Sequence, residues 1–203
     1  MNEKRPTVNC YSKGEGGFMT RSQDLRAAWL RPLLHLLGRN GIRAGHITLL
    51  SLLFGLAFCP FFIAESYFWA FGFLLIHVVL DGIDGPLARF QKKAGNRGSF
   101  TDTSADQLVV TATTITLIYN GLADPWPAGW YVFLYTVVVV FAMIRNAMST
   151  PYSWLFRPRF PVFLWIAVEV FWLPGTLNYI LWAGSATLAV KALTGFITIR
   201  RNL

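Results

Sequence analysis

Apolar residues gather into six runs, at about Ile47–Ala64, Tyr67–Leu80, Leu108–Tyr119, Trp130–Ile144, Phe160–Leu173 and Leu177–Ile199, with short polar or charged connections between them. A helix needs about 20 residues to cross the hydrocarbon core of a bilayer, and several of these runs fall short of that. The second and third reach it only if their helices continue into the polar sequence between them, which sets residues 81–106 near one membrane face. Upstream, Leu25, Ala28, Trp29, Leu33, Leu36 and Leu37 recur at helical spacing against Arg26, Arg31 and Arg39. That pattern predicts an amphipathic helix lying in the membrane interface over residues 22–43. Residues 1–21 read as a flexible cytoplasmic tail, without the apolar core of a signal peptide. The expectation is an all-α integral membrane protein with a tail (1–21), an interfacial helix (22–43) and a domain of six transmembrane helices (44–203).

Composition agrees, because 54% hydrophobic and 14% charged residues over 203 cannot clothe a soluble globule of this size. Lys and Arg fall at residues 4–43, 89–97, 145–159 and 191–201, always on the same side of a six-span arrangement. The opposite connections, near Glu65, Asp124 and Pro174, carry none. By the positive-inside rule both termini and residues 81–106 face the cytoplasm. A net charge of +8 then reads as attraction to anionic headgroups and phosphorylated substrates rather than to nucleic acid. Cys10 and Cys59 fall in the tail and near the outer end of the first span, so no disulfide is expected.

The chemistry is concentrated in Asp81, Asp84, Asp102 and Asp106. An ionised carboxylate at membrane depth costs about 2.5–3.5 kcal/mol even on the lenient insertion scale, so a cluster of them calls for cations or a water-filled cavity. Asp81, Asp84, Gly85, Ala88 and Arg89 share one helical face, and Gly98, Asp102 and Asp106 share another. If residues 90–97 reverse the chain, the two acidic faces meet, with Gly85, Ala88 and Gly98 allowing close backbone approach. Oxygen-only anionic sites suit hard ions, Mg²⁺ or Mn²⁺, and four carboxylates balance two such ions.

These residues follow the pattern D-x-x-D-G-x-x-A-R-x8-G-x3-D-x3-D without gap or substitution, and by it the chain resembles the CDP-alcohol phosphotransferase (phosphatidyltransferase) family. The resemblance implies a membrane transferase of phospholipid synthesis. In that reaction an alcohol hydroxyl attacks the β-phosphorus of a CDP-linked lipid, forming a phosphodiester and releasing CMP. It further implies that Asp81, Asp84, Asp102 and Asp106 ligate the metals and that Asp106 also takes the acceptor's proton, the alternative being a pure ligand with metal-bound hydroxide as base. The compact chain favours CDP-diacylglycerol as donor, and a small alcohol of the glycerol 3-phosphate, inositol phosphate or serine class as acceptor. A homodimer is admitted and not dictated.

Other residues carry paired readings. Arg89 could clamp the pyrophosphate or snorkel to headgroups. Gly85 and Gly95 suit backbone approach to the nucleotide, Gly95 equally a plain turn. Thr48 matches the threonine of the family's P-N-x-x-T nucleotide entrance, which Gly45 and His46 depart from; capping or interhelical bonding is its other reading. His77 either orients Asp81 or makes a buried interhelical hydrogen bond. Arg145, Arg157 and Arg159 could form an anion pocket for a phosphorylated acceptor or serve as positive-inside anchors. A divalent-cation transporter is the competing class, since it too needs intramembrane carboxylates; against it, Glu65, Asp124 and Glu169 are isolated and continue no path outward.

Overall fold

The structure, a computed structural model, describes residues 30–152 and 158–203. The expected tail, residues 22–29 of the expected interfacial helix, Cys10 and Arg157 lie outside them. Among the described residues all regular structure is helical: α1 at residues 30–39, then α2 (Ala44–Ile63), α3 (Tyr67–Phe90), α4 (Asn96–Tyr119), α5 (Pro125–Ala147), α6 (Arg159–Phe171) and α7 (Leu177–Asn202).

Four of these, α2, α3, α5 and α7, are long and apolar enough to cross a membrane. Of the remaining helices, α4 and α6 differ from the expected spans for separate reasons. α4 has 24 residues, ample length, but its first turns carry the polar sequence from Asn96 to Gln107. α6 has only 13 residues, about 20 Å of helix against about 36 Å for α3 and α4.

Helix α2 organises one half of the bundle. Thr48, Ser51, Gly55, Phe58 and Phe62 are buried along it at alternating spacings of three and four, the pattern of a helix packed at a shallow angle. Both motif helices, α3 and α4, pack along α2 rather than broadly against one another. The anticipated close approach of α3 and α4 through Gly85, Ala88 and Gly98 is therefore corrected: no atom lies within 4 Å of a Cβ built at Gly98, and at Gly85 only the Arg89 guanidinium does, at 3.7 Å. Tight packing falls instead at Gly55, where an added Cβ would stand 2.5 Å from Val109 Cγ2 on α4 and 3.1 Å from His77 Nδ1 on α3. One turn earlier, Ser51 Oγ donates to the His77 carbonyl at 3.0 Å and lies 2.9 Å from its Nδ1. His77 thus makes the interhelical hydrogen bond, and no bond from it to Asp81 is seen.

The lateral order continues from α4 to α5, α7 and α6. Aromatic contacts of α3 with α6 close the ring, Tyr67 and Phe71 against Phe171 and His77 against Phe163. The α6–α7 turn is held by Glu169, a buried acid in an apolar run, whose carboxylate accepts the backbone N–H groups of Gly175, Thr176 and Leu177. Helix N-termini leave such donors orphaned, and Glu169 satisfies them. Helix α1 falls within the expected 22–43 segment, and its Leu34 is buried against Ile47, Ile83 and Leu87.

Gly55→Ala is expected to cost about 1–3 kcal/mol through overpacking against Val109. Thermal unfolding in detergent should show that loss, and adding Val109→Ala should recover most of it; equal loss in the single and double variants would place the strain elsewhere.

Candidate metal and nucleotide site

Residues 91–95 reverse the chain between α3 and α4, so the two acidic faces look toward one region although their backbones stay apart. Ligand oxygens of Asp81, Asp102 and Asp106 all lie within 4.8 Å of one another. A hard divalent ion at about 2.1 Å from each oxygen in octahedral geometry spaces its ligands up to about 4.2 Å apart, so these three carboxylates fit a single cation with small adjustment. The donor set is oxygen-only, which suits Mg²⁺ or Mn²⁺ and not zinc or copper.

Asp84 stands beside this triad, hydrogen-bonded with Asp102 and accepting the Thr48 hydroxyl at 2.7 Å. That bond is buried and spans α2 and α3, so Thr48 does more than cap its helix: it fixes the rotamer of a candidate ligand. Asp84 and Asp102 line a cavity of about 350 Å³ together with Thr48, Gly85, Arg89, Gly95 and Gly98. Arg43, Lys93 and Arg97 also line it, so the same cavity carries both acidic and cationic side chains. Such a mixed lining suits a ligand that bears phosphate, met by metal at the carboxylates and by Arg and Lys side chains. Gly85 and Gly98 act here as open space rather than as packing. Gly95 is extended at the start of α4, a conformation open to any residue.

Arg145 and Arg159, expected in one pocket, are separated in use. Arg145 donates to the Thr150 and Pro151 carbonyls at 2.9 and 3.4 Å, with its guanidinium 4.0 Å from the centre of the Tyr152 ring. It secures the turn that ends α5, and the Tyr152 hydroxyl in turn donates to the Lys191 carbonyl at 3.0 Å. Arg159 is 2% exposed and reaches the carboxylates themselves, donating to Asp81 Oδ2 at 2.7 Å and pairing with Asp106. Sequence reasoning missed this contact, and also Ser51, Gly55 and the cap at Glu169. For Glu169 a signal existed, an acid one turn ahead of Pro174-Gly175-Thr176; for Arg159 none did, since 78 residues separate it from Asp81.

A helical bundle with membrane-length apolar spans, an aspartate cluster fit for hard cations and a basic cavity beside it defines a membrane protein that handles phosphate-bearing ligands. The chain belongs to the CDP-alcohol phosphatidyltransferase family, whose model matches residues 42–195. It is 30% identical over 118 residues to the CDP-diacylglycerol–serine O-phosphatidyltransferases of Mycobacterium tuberculosis and Mycobacterium bovis, covering 55% of this chain and 41% of theirs. It is 32% identical over 106 residues to the inner membrane protein YnjF of Escherichia coli, covering 48% of this chain and 51% of that one. The match thus spans about half the length of these relatives or less.

Thr48→Val removes the donor that holds Asp84, and Mn²⁺ affinity measured by calorimetry is expected to fall about 10- to 100-fold, as when a partner that orients a metal ligand is lost. Thr48→Ser should keep most of it. An unchanged affinity in the valine variant would show that Asp84 is oriented without Thr48.

Proposed function

We propose that the protein transfers the phosphatidyl group of CDP-diacylglycerol to a small alcohol and releases CMP. The observation that carries this reading is the convergence of Asp81, Asp102 and Asp106 beside a cavity lined in part by Arg43, Arg89, Lys93 and Arg97. In this reading Asp81, Asp84, Asp102 and Asp106 would hold two divalent cations, Mg²⁺ or Mn²⁺. When bound, the cations supply charge neutralisation at the pyrophosphate and lower the pKa of the acceptor hydroxyl. Arg89, exposed on the cavity wall one turn from Gly85, clamps the pyrophosphate, and Gly85, Gly95 and Thr48 border the nucleotide. Asp106 accepts the acceptor's proton as its oxygen bonds to the β-phosphorus, and the bond from that phosphorus to the CMP oxygen breaks.

Serine is the acceptor we place first. It is the acceptor named for the mycobacterial relatives. A pocket for a phosphorylated acceptor that includes Arg145 would need it to leave the Thr150 and Pro151 carbonyls. Serine makes no such demand on Arg145. The transporter reading lacks support: Asp124 is bonded to Asn178 and Glu169 to backbone amides, so neither extends an ion path.

We further read α4 and α6 as completing six spans, α1 as part of an interfacial helix, and residues 44–203 as the catalytic domain. Both termini and the site then face the cytoplasm, where the basic connections lie. The arrangement admits a homodimer.

Purified protein in detergent with Mn²⁺ should release CMP from CDP-diacylglycerol on addition of one member of a panel containing serine, glycerol 3-phosphate and inositol phosphate. Ion flux in vesicles without CMP release from any of them would favour transport. Chelation should abolish the activity and Mg²⁺ or Mn²⁺ restore it. Asp81→Asn and Asp102→Asn should recover partly in excess metal, while Asp106→Asn should stay inactive; full activity after exhaustive chelation would remove the metal from the reaction.

A further inference from the structure

Arg159 is an unusual neighbour for a metal site. Its guanidinium bonds Asp81 Oδ2 and pairs with Asp106, two of the three carboxylates whose spacing fits a cation, and it does so from a different helix, at the first position of α6. Buried at 2% exposure, it needs these acids as counter-charges, because an unpaired guanidinium removed from water is strongly destabilising. The acids need it equally while they hold no metal. A divalent ion seated among Asp81, Asp102 and Asp106 reverses that balance: it claims the same two carboxylates and stands within a few ångströms of another positive charge.

We propose that Arg159 is a built-in counter-cation for the aspartate cluster, holding Asp81 and Asp106 until a divalent ion takes them and releasing them as that ion binds. Two features make the exchange possible. Arg159 holds the carboxylates by a side chain with several rotatable bonds, so release needs no shift of α6. The Phe160 ring, 4.6 Å from the guanidinium, offers the cation a face on which to rest during the exchange. The consequence for the reaction is an ordered one: Asp106 becomes free to receive a proton only after the cation that it ligates has displaced Arg159. Arg159 is by this account a positioning residue, which never touches the reacting atoms.

The inference rests on reading the carboxylates as a metal centre, and the test separates the two. Mn²⁺ binding to the purified full chain in detergent is titrated without substrate, by calorimetry and by the loss of the free-Mn²⁺ paramagnetic resonance signal. The wild type should bind one ion tightly and a second more weakly. Arg159→Gln should tighten the weaker site at least tenfold, because the competing charge is gone, and Arg159→Lys should lie nearer the wild type. A second readout is thermal stability: the rise in Tm on going from chelator to saturating Mn²⁺ should be larger in Arg159→Gln than in wild type, since its metal-free cluster lacks a counter-charge. Unchanged or weaker Mn²⁺ binding in Arg159→Gln, with folded protein confirmed by its Mn²⁺-loaded melting transition, would overturn the proposal. Should Arg159→Gln fail to fold, Arg159→Lys decides: a weaker site two- to fivefold tighter than wild type supports it, and an unchanged or weaker one overturns it. No Mn²⁺ binding by the wild type would instead remove the metal centre on which the inference stands.

Discussion

Four carboxylates and one guanidinium gather at one place in a largely apolar bundle, and much of the surrounding structure accommodates them. Desolvating a charge without a partner costs several kcal/mol, so each must be matched within reach of its own side chain. Asp84 accepts a hydrogen bond from Thr48 and shares one with Asp102 of α4, and Asp81 and Asp106 pair with Arg159. Those matches come from α2, α4 and α6, and they tie these helices to α3 at one level of the bundle. Apolar packing would leave the helices free to slide along one another; the charges fix their relative heights.

The short α6 belongs to the same constraint. Its 13 residues begin beside Asp81 and Asp106, about ten residues in from the ends of α3 and α4. Beginning where it does, α6 carries Arg159 at its first position, from which the side chain reaches both acids. At its far end Glu169 turns the chain into α7 with the backbone donors satisfied.

Much of this was legible in the sequence because it is local. The helical faces of Asp81 to Arg89 and Gly98 to Asp106 follow from spacing alone, and so does the reversal between them. Thr48 was legible as a polar residue at the mouth of the first span, with its partner unspecified. What could not be read depends on which helix stands beside which. Gly98 looked like a packing glycine because spacing cannot show that α3 and α4 pack along α2 rather than broadly against one another. Gly55, with no motif around it, is the true point of contact. Arg145 and Arg159 looked equivalent as basic residues near one membrane face, yet one secures its own helix end and the other enters the cluster. The difference is set by the start of α6, to which an apolar count from Phe160 to Leu173 is blind.

Helix α2 contributes no carboxylate, yet both helices that do pack along it. At Gly55 it has no side chain, and Val109 of α4 and His77 of α3 both close on that one point, so the approach there is as narrow as a helix backbone permits. In mechanical terms α2 is a bearing surface shared by the two acidic helices. A methyl group added at Gly55 would press on both of them at once, far from any acid.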